Sequence, residues 1–297
     1  MTVLFTSAPF DNTLNDALKK WPRLERGVEL FWLGQAGFLL RSAEHCIIID
    51  PYLSDSLAEK YQGRPLAHQR MMAAPLQAED LRGVTHILVT HHHTDHMDGA
   101  TLAPLLKASP GAQLVLPRAS LQLATERIPL SGVENVAGIN AGEKLYPAPG
   151  LIIHAVRASH ETLEQDEAGN YRFLGYVIEI DGVTIFHSGD TVPFAGQTEE
   201  LAPLGIDLAL LPVNGRSETL RVQGVPGNLT VEEGVQLCVQ CKIRYMIAHH
   251  YGLFNFNTAN PAALDAMARQ TVRPVLKRAQ IQTRYQLEPP LSAENSE

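Results

Sequence analysis

The chain has 297 residues, of which 45% are apolar and 19% are charged, a balance typical of a folded globular protein and not of a disordered one. Its 32 acidic residues outnumber its 24 lysines and arginines, which gives a formal net charge of −8. Nucleic acids and anionic membranes are bound through basic surfaces, so this charge argues against either partner. We therefore expect the partner to be a small-molecule substrate.

The sequence predicts neither a membrane span nor a secretory signal. No run approaches the roughly 18 apolar residues that a span requires, and residues 1–10 lack a basic start followed by a long apolar core. The three cysteines (Cys46, Cys238 and Cys241) lack the spacing of a disulfide framework, and the C-x-x-C of the last two falls inside a predicted helix. We expect a cytoplasmic protein with reduced thiols.

The first half of the chain predicts short strands that lead into a histidine-rich loop. Residues 11–20 have a helical pattern, with Asp11 or Asn12 as the N-cap. The strand-like runs VELFWLG, GFLLR and CIIID follow, and residues 54–80 are expected to be loop with one helical turn. The apolar strand THILVT leads directly into the histidines, and LAPLLKA after Asp98 predicts a helix with that aspartate as its N-cap.

The second half repeats this organisation. The predicted strands are LIIHAVRA (151–158), FLGYVIEID (173–181), VTIFHSGD (183–190), LALLPVNG (208–215), RYMIAHHYG (244–252) and a last one near 281–287. A capping box of Thr230 and Glu233 predicts a helix over 231–241, and AALDAMARQ predicts another.

The fold class expected from this mixture of strands and helices is α/β, with two strand-rich sheets packed together and helices outside. No interior stretch is rich enough in glycine, proline or charge to be a linker. We therefore expect one domain over 1–297, with 1–27 as an N-terminal extension and 288–297 as a frayed tail. Neither a coiled coil nor a repeat indicates an oligomeric state, so a homo-oligomer stays open.

A cluster of metal-ligand residues follows the strand THILVT. Residues 91–96 read HHHTDH, which is the pattern H-x-H-x-D-H. Residues two apart in extended backbone point to the same side, so His91 and His93 can reach one ion. As the chain turns, Asp95 and His96 can serve a second ion beside it. A histidine-rich surface loop is the alternative, but four ligand residues within six at a strand end favour a metal site.

Further ligands are expected at other strand ends. His160 follows the strand AVRAS, and Asp190 lies in FHSGDT, where its carboxylate can bridge two ions. Either His249 or His250 follows the strand RYMIA, and only one of them should point at the metals because adjacent strand residues face opposite ways. Each residue alone is of a kind that often has only a structural role, but together with the first cluster they are sufficient for two ions.

These residues, in this order, resemble the signature of the metallo-β-lactamase superfamily: H-x-H-x-D-H, a later single histidine, S-G-D-T and a late strand-end histidine. The strings WLGQAGF, HSGDT, LPVNG, GNLTVEE and HHYGLFNF are similar to those of the L-ascorbate-6-phosphate lactonase-like hydrolases. The resemblance runs from about Phe31 to Asn260. It implies an αββα four-layer sandwich with the metals at the edge between the two sheets.

The resemblance also implies the ligands of two divalent metal ions, for which imidazole and carboxylate favour zinc or manganese, with iron as a further candidate. The first ion would be held by His91, His93 and His160, the second by Asp95, His96 and His250, and Asp190 would bridge them. His250 is favoured because His249 occupies a usually apolar position of the family pattern. Ala248 stands where that pattern has proline, which leaves the choice between the two histidines open.

Several residues around the ligands receive roles as well. Asp95 would be catalytic, because the family aspartate orients the nucleophile. Asp50, at the end of the strand IIID, matches a family aspartate that supports the ligands from behind. His187 and His249 are candidates for hydrogen bonds to the ligands, with a purely structural role as the alternative.

Substrate contacts are predicted on looser grounds. Arg216, in the VNGR loop, could clamp a phosphate or a carboxylate, and the alternative is a solvated surface arginine. Tyr251 and Asn255 follow the last ligand and could line the pocket or simply pack the loop.

The expected function is that of a metal-dependent hydrolase. A hydroxide activated by two divalent ions would open a lactone or an ester of a small anionic molecule, with a sugar phosphate as one example. A phosphodiesterase with the same two-metal site is the alternative, although a net charge of −8 disfavours a nucleic-acid substrate. The third hypothesis is a non-catalytic or redox scaffold. In the di-iron redox proteins of the superfamily a glutamate takes the position of His93, so this histidine favours hydrolysis.

Overall fold

The computed structural model describes residues 2–129 and 135–290, which form fifteen strands and eight α-helices. The strands are β1 (Leu4–Pro9), β2 (Val28–Gly34), β3 (Gly37–Arg41), β4 (Cys46–Ile49), β5 (His86–Leu88), β6 (Gln113–Pro117), β7 (Val136–Ile139), β8 (Lys144–Ala148), β9 (Leu151–Arg157), β10 (Leu174–Ile180), β11 (Val183–His187), β12 (Leu208–Pro212), β13 (Tyr245–His249), β14 (Val275–Arg278) and β15 (Thr283–Glu288). The helices are α1 (Leu14–Lys20), α2 (Ser56–Lys60), α3 (Gly99–Ala108), α4 (Leu121–Arg127), α5 (Gln197–Leu201), α6 (Glu218–Val222), α7 (Val231–Gln240) and α8 (Pro261–Gln270).

The strands of the described residues form two mixed sheets. The first sheet has the order β1-β15-β2-β3-β4-β5-β6-β7, and the second has the order β14-β13-β12-β11-β10-β9-β8. In the first sheet β2 to β4 pair antiparallel, whereas β4 to β7 pair parallel. In the second sheet β8 to β11 pair antiparallel, whereas β11 to β14 pair parallel. The predicted α/β class is confirmed.

The two sheets pack face to face because side chains alternate along their strands. In β2, Leu30 and Trp32 join one core cluster with residues of the second sheet, such as Ile178. Phe31 and Leu33 point the other way, into a cluster that α1, α3 and α4 cover. Helix α7 packs on β12 and β13 of the second sheet. The layers therefore follow the predicted order of helices, sheet, sheet, helices.

The predicted caps of two helices are present. The Asp98 side chain accepts the amide hydrogen of Ala100 at the start of α3. Thr230 and Glu233 form the reciprocal capping box of α7. The two cysteines near the end of α7 are buried, and burial raises the pKa of both thiols. Within the described residues, no helix combines the length and the apolar composition needed to span a membrane.

Helix α1 begins later than predicted. It starts at Leu14, and its N-cap is Thr13, whose Oγ1 accepts the amide hydrogen of Asp16 at 3.1 Å. The prediction of Asp11 or Asn12 as the cap was therefore wrong, although all three residue types can cap a helix.

The segment predicted as an N-terminal extension contains a strand of the first sheet. Strand β1 pairs antiparallel with β15, from Leu4 opposite Glu288 to Pro9 opposite Thr283. Tyr245 of the second sheet donates its hydroxyl hydrogen to the carbonyl of Val3 at 2.9 Å. Residues 4–9 are thus part of the sandwich, contrary to the prediction. In the predicted tail, Glu288 ends β15, and residues 291–297 lie outside the described residues.

Replacing Phe5 by alanine is expected to lower the free energy of unfolding by about 1–3 kcal/mol. The Phe5 ring is half-buried and lies 5.0 Å from the ring of Tyr245 and 6.1 Å from that of Tyr285. The measurement is the urea midpoint at unchanged m-value. Leu4→Ala is the control, because Leu4 is 56% exposed and its loss should change stability by less than about 0.5 kcal/mol. Equal effects of the two changes would contradict a packed β1.

Candidate metal centre

The predicted ligands lie just beyond the carboxyl ends of strands. The H-x-H-x-D-H run follows β5, His160 follows β9, Asp190 follows β11 and His250 directly follows β13. All of them except His91 and His96 line one cavity at the edge of the sandwich. Neighbouring parallel strands end at the same edge of a sheet, so residues that are far apart in the sequence converge there.

The donor atoms form three groups, each with all members within 4.8 Å of one another. The groups are His91 with His93 and His160, His91 with His96 and Asp190, and Asp95 with His96 and His250. The first and third are the sets that the resemblance implied for two ions, and the second group connects them. The structure thus brings all seven predicted ligands together.

The Asp190 carboxylate lies between the two outer groups. Its Oδ1 is 3.3 Å from His96 Nε2, and its Oδ2 is 3.2 Å from His250 Nε2 and 3.6 Å from His160 Nε2. One carboxylate therefore reaches histidines of both groups, which is the geometry that a bridging ligand requires.

Unpaired buried atoms show that these residues fit metal ions. Among the described residues, His91 Nε2, His96 Nε2 and Asp190 Oδ1 are buried and make no hydrogen bond, because the last two, although 3.3 Å apart, are not aligned for one. An unsatisfied buried polar atom costs about 1–3 kcal/mol, so its persistence needs a reason. Coordination of a divalent ion would satisfy all three atoms, and the imidazole and carboxylate donors suit zinc, manganese or iron.

The protonation states of His91, His160 and Asp190 agree with a ligand role, whereas, against the effect of burial, the carboxylates of Asp190, Asp50 and Asp95 raise the pKa of His96, which would have to lose its proton to bind a metal ion. Burial, together with neighbouring histidines, holds the pKa of His91 well below its usual value, and burial lowers the pKa of His160 to about 4. Both rings are therefore neutral and can offer a lone pair to a cation. Burial alone would raise the pKa of Asp190, but the charges of His250 and His96 hold it well below its usual range. Asp190 is therefore a carboxylate.

Asp50 supports the centre from behind the ligands, as predicted by its position. Its Oδ2 lies 2.7 Å from His96 Nδ1, which leaves His96 Nε2 facing the donor groups. Its two oxygens also accept hydrogen bonds from the Thr90 amide (2.7 Å) and hydroxyl (2.6 Å). Carboxylate–histidine contacts of this kind fix the orientation of the ring.

His187 positions the loop that carries Asp190. Its Nε2–H donates to the carbonyl of Ala36 at 2.8 Å, and its Nδ1 accepts the amide hydrogen of Gly189 at 3.1 Å. Gly189 has φ +59°, and a Cβ there would lie 2.7 Å from a backbone oxygen of Leu174. Only glycine fits this turn without strain.

His249 does not belong to the donor groups. Its ring is fully buried, stacks on His187 at 5.1 Å and meets the edge of Phe38 at 5.3 Å. His250 has φ +63°, and this left-handed residue turns its ring toward Asp190. The structure thus places His250 at the centre and His249 beneath it. Among the described residues neither ring nitrogen of His249 has a hydrogen-bond partner, so the predicted hydrogen bond from His249 to a ligand is absent and its role is packing.

Comparison with known proteins identifies the family. The model described as "Beta-lactamase superfamily domain" matches residues 45–251, which is more than half of the chain and includes all seven predicted ligands. The chain belongs to the metallo-β-lactamase superfamily. A UPF0173 metal-dependent hydrolase of Pyrococcus furiosus is 31% identical over 244 residues, which cover 80% of this chain and 88% of that protein.

Solved structures share the metallo-β-lactamase fold. The isothiocyanate hydrolase from Delia radicum gut bacteria has a TM-score of 0.68 at 20% identity, with 86% of this chain and 97% of that chain covered. The metallo-β-lactamase fold protein YhfI of Bacillus subtilis has a TM-score of 0.62 at 13% identity, with 88% and 99% covered. At these identities the structures show the fold alone. The family and its hydrolase relatives make this protein a metal-dependent hydrolase, and its substrate is left open.

Gln35 is a residue of this superfamily centre that sequence reasoning missed. It is 2% exposed, has φ +51° and lies in the turn between β2 and β3. Its Nε2 donates to Asp95 Oδ2 at 2.9 Å and lies 3.2 Å from His250 Nε2. The backbone carbonyl of Gln35 accepts hydrogen bonds from the ring N–H of Trp32 and from the backbone N–H of His250, both at 3.0 Å. An amide side chain inside the apolar WLGQAGF run was the available signal.

Changing Gln35 is expected to impair catalysis with metal content unchanged. Gln35→Asn keeps an amide that tolerates a left-handed conformation, but its shorter side chain withdraws from Asp95, so kcat/KM should fall about 10-fold. Gln35→Glu places a second carboxylate beside Asp95 and should lower kcat/KM further. Gln62→Asn, at an exposed position that does not line the cavity, is the control. If kcat/KM of both Gln35 variants stays within 2-fold of that of the unmodified protein, the positioning role is contradicted.

The three residues predicted to bind substrate do not line the cavity. Both Nη atoms of Arg216 donate to Glu233 at 2.6 Å, so the guanidinium is already occupied by the capping-box glutamate. Tyr251 is buried, stacks on Trp32 at 5.3 Å and donates its hydroxyl hydrogen to a backbone carbonyl. Asn255 is exposed and does not line the cavity, whereas its two neighbours Phe254 and Phe256 do.

The cavity above the ligands has a volume of about 780 Å³. Of the described residues, three lysines and arginines line it: Lys60, Arg64 and Arg127. Within the described part of the chain, Asp95 and Asp190 are the only carboxylates of its wall. With those two assigned to metal ions, the remaining charges of the wall are positive.

Proposed function

We propose that this metal-dependent hydrolase uses two divalent ions to hydrolyse a lactone or an ester of a small anionic molecule. The observation that carries the proposal is the convergence of seven predicted ligands in three donor groups at one cavity. His91, His93 and His160 would hold one ion, and Asp95, His96 and His250 the other. Asp190 would contact both.

Two divalent ions in such a site supply an activated water and stabilise the negative charge that develops on the substrate oxygen. The protein's own groups have separate tasks. Asp95 is 19% exposed to the cavity, and the charges of His96 and His250 outweigh burial to hold its pKa below its usual value. It is therefore a carboxylate that can accept a hydrogen bond from the attacking water and orient it. Gln35 fixes the direction of that carboxylate.

The positive wall supports an anionic substrate, and the histidine at position 93 supports hydrolysis over the redox chemistry of the glutamate-containing members. The amide of Gln35 and the rings behind the ligands hold the centre in place before substrate arrives. Positioning of this kind is effective because it spares the reorganisation of polar groups during the reaction.

A matched substrate panel tests this proposal. The protein loaded with zinc or manganese is assayed with mono(4-nitrophenyl) succinate and 5-oxotetrahydrofuran-2-carboxylate as the anionic ester and lactone. Their neutral counterparts are 4-nitrophenyl butyrate and γ-butyrolactone, and bis(4-nitrophenyl) phosphate represents phosphodiesters. We expect kcat/KM for an anionic ester or lactone to exceed that of its neutral counterpart by about 10-fold, and His91→Ala to abolish turnover.

Two results would overturn the proposal. Hydrolysis of bis(4-nitrophenyl) phosphate alone would replace it with the phosphodiesterase alternative. If protein that carries two metal ions per chain hydrolyses none of these compounds, the hypothesis of a non-catalytic binding scaffold would replace the proposal. The exposed-site variant Asp11→Ala is the control for nonspecific losses.

A further inference from the structure

One wall of the metal-site cavity is built from aromatic rings of two separate chain segments. We call Tyr61, His68, Phe254 and Phe256 the aromatic wall. The Tyr61 and His68 rings stack at 4.1 Å with an interplanar angle of 23°. The His68 ring then meets the edges of Phe254 at 5.0 Å and Phe256 at 4.7 Å. All four residues line the cavity, so they form one continuous surface beside the metal ligands.

The aromatic wall carries few polar side-chain atoms, namely the Tyr61 hydroxyl and the two ring nitrogens of His68. The Nδ1 of His68 already lies 2.9 Å from the carbonyl of Leu66. Burial lowers the pKa of His68, so the ring is neutral at pH 7 and acts as a flat aromatic surface. A ligand that presents many hydroxyl groups to this wall would leave most of them without partners, and such unmade hydrogen bonds are costly. A flat apolar group would instead gain from burial and from stacking.

Two cations border the aromatic wall. Lys60 Nζ lies 5.5 Å and Arg64 Cζ lies 5.3 Å from the centre of the Tyr61 ring, and both residues line the cavity. In the part of the chain that the structure describes, no carboxylate lies within 4 Å of either cation. Their charges are therefore available to a ligand, in contrast to that of Arg216.

We propose that the substrate is an organic anion with an aromatic or similarly flat apolar body, whose body packs on the aromatic wall and whose anionic group contacts Lys60 and Arg64. This inference rests on the proposed function for the identity of the site, and it narrows the substrate class. It disfavours a sugar phosphate, whose body is polar. The reacting bond would lie over the metal ligands, which share the cavity with the wall.

Binding of three probes to the zinc-loaded protein tests the inference without turnover. Naphthalene-2-sulfonate carries both features, methyl 2-naphthyl sulfone lacks the charge, and methanesulfonate lacks the ring. We expect calorimetric titration to show that naphthalene-2-sulfonate binds at least 10-fold more tightly than either of the others. Equal affinities of the two sulfonates would overturn the role of the aromatic wall, and equal affinities of the two naphthyl compounds would overturn the role of the cations.

Variants of the wall and of its two cations test whether the naphthyl probes bind at this place. The double change Lys60→Gln/Arg64→Gln should weaken naphthalene-2-sulfonate at least 5-fold and leave the sulfone unchanged. Phe256→Ala should weaken both naphthyl compounds. Lys19→Gln/Lys20→Gln is the matched control, since it removes the same charge from an exposed site on α1. If the Lys60/Arg64 double variant with wild-type metal content and melting temperature binds the sulfonate as tightly as the original, the inference is wrong.

The conservative exchange Lys60→Arg/Arg64→Lys keeps both charges and should retain sulfonate affinity within about 2-fold. A loss as large as that of the glutamine variant would overturn a charge-based role. The binding experiment also separates this inference from the proposed function. If the probes bind as expected but no ester or lactone is hydrolysed, the proposed function fails and the aromatic wall stands. If an ester or lactone is hydrolysed but the three probes bind with equal affinity, the proposed function stands and the inference about the aromatic wall fails.

Discussion

Replacing Asp190 by alanine is expected to lower kcat/KM for the accepted substrate by at least about 10³-fold and to reduce bound metal below two ions per chain. The reason is its position, since its two oxygens reach His96, His160 and His250 within 3.2–3.6 Å. No other carboxylate of the described residues belongs to the donor group of His91 and His96. The measurement combines elemental analysis of the purified protein with hydrolysis assays.

Two variants control for this loss. Asp190→Asn keeps the shape of the side chain and removes its charge, so it should also lose metal. Asp11→Ala removes an exposed carboxylate that belongs to no donor group and does not line the cavity, so it should change neither readout. If Asp190→Ala retained two metal ions and more than a tenth of the activity, the bridging role would be excluded.

Removal of metal is expected to abolish hydrolysis and to lower the melting temperature by roughly 10 °C. A ligand present at 1,000 times its Kd stabilises the folded state by about 4 kcal/mol, and each kcal/mol is worth about 2–4 °C in a domain of this size class. The structural reason is the set of buried atoms that make no hydrogen bond, namely His91 Nε2, His96 Nε2 and Asp190 Oδ1. The measurement is a thermal scan after treatment with chelator and gel filtration, followed by a scan with zinc or manganese restored.

The restored sample should regain both activity and melting temperature. Asp190→Ala should show a smaller decrease on chelation, because that variant holds less metal at the start. An unchanged melting temperature after verified removal of metal would mean that the donor groups do not couple metal binding to folding.

Features that depend on local sequence were predicted correctly. The H-x-H-x-D-H run is confined to six residues, and its placement after a buried strand follows from the apolar run before it. The caps Asp98 and Thr230 are local as well, because each bonds to an amide within three residues. Strands β2 to β4 were recognisable since each is a short apolar run with turn residues between.

Features that depend on distant partners were missed or misplaced. Strand β1 has weak alternation and becomes a strand by pairing with β15 at the other end of the chain. Strands β6, β7 and β8 were not predicted either, although β6 is almost entirely buried. Arg216 was predicted to contact substrate from its residue type and its place in the VNGR loop, but in the structure its guanidinium donates hydrogen bonds to Glu233.

The sequence by itself determined the types and spacing of the predicted metal ligands, the acidic net charge and the superfamily. Only the tertiary structure decided the directions of the side chains. His250 turns toward Asp190 because its φ is +63°, and Gln35 reaches Asp95 because the β2–β3 turn brings it there. Residue type and spacing can be read directly from the sequence, whereas the direction of a side chain depends on backbone angles and strand pairings that involve distant residues. The aromatic wall shows the same division, since its rings come from segments that only the fold brings together.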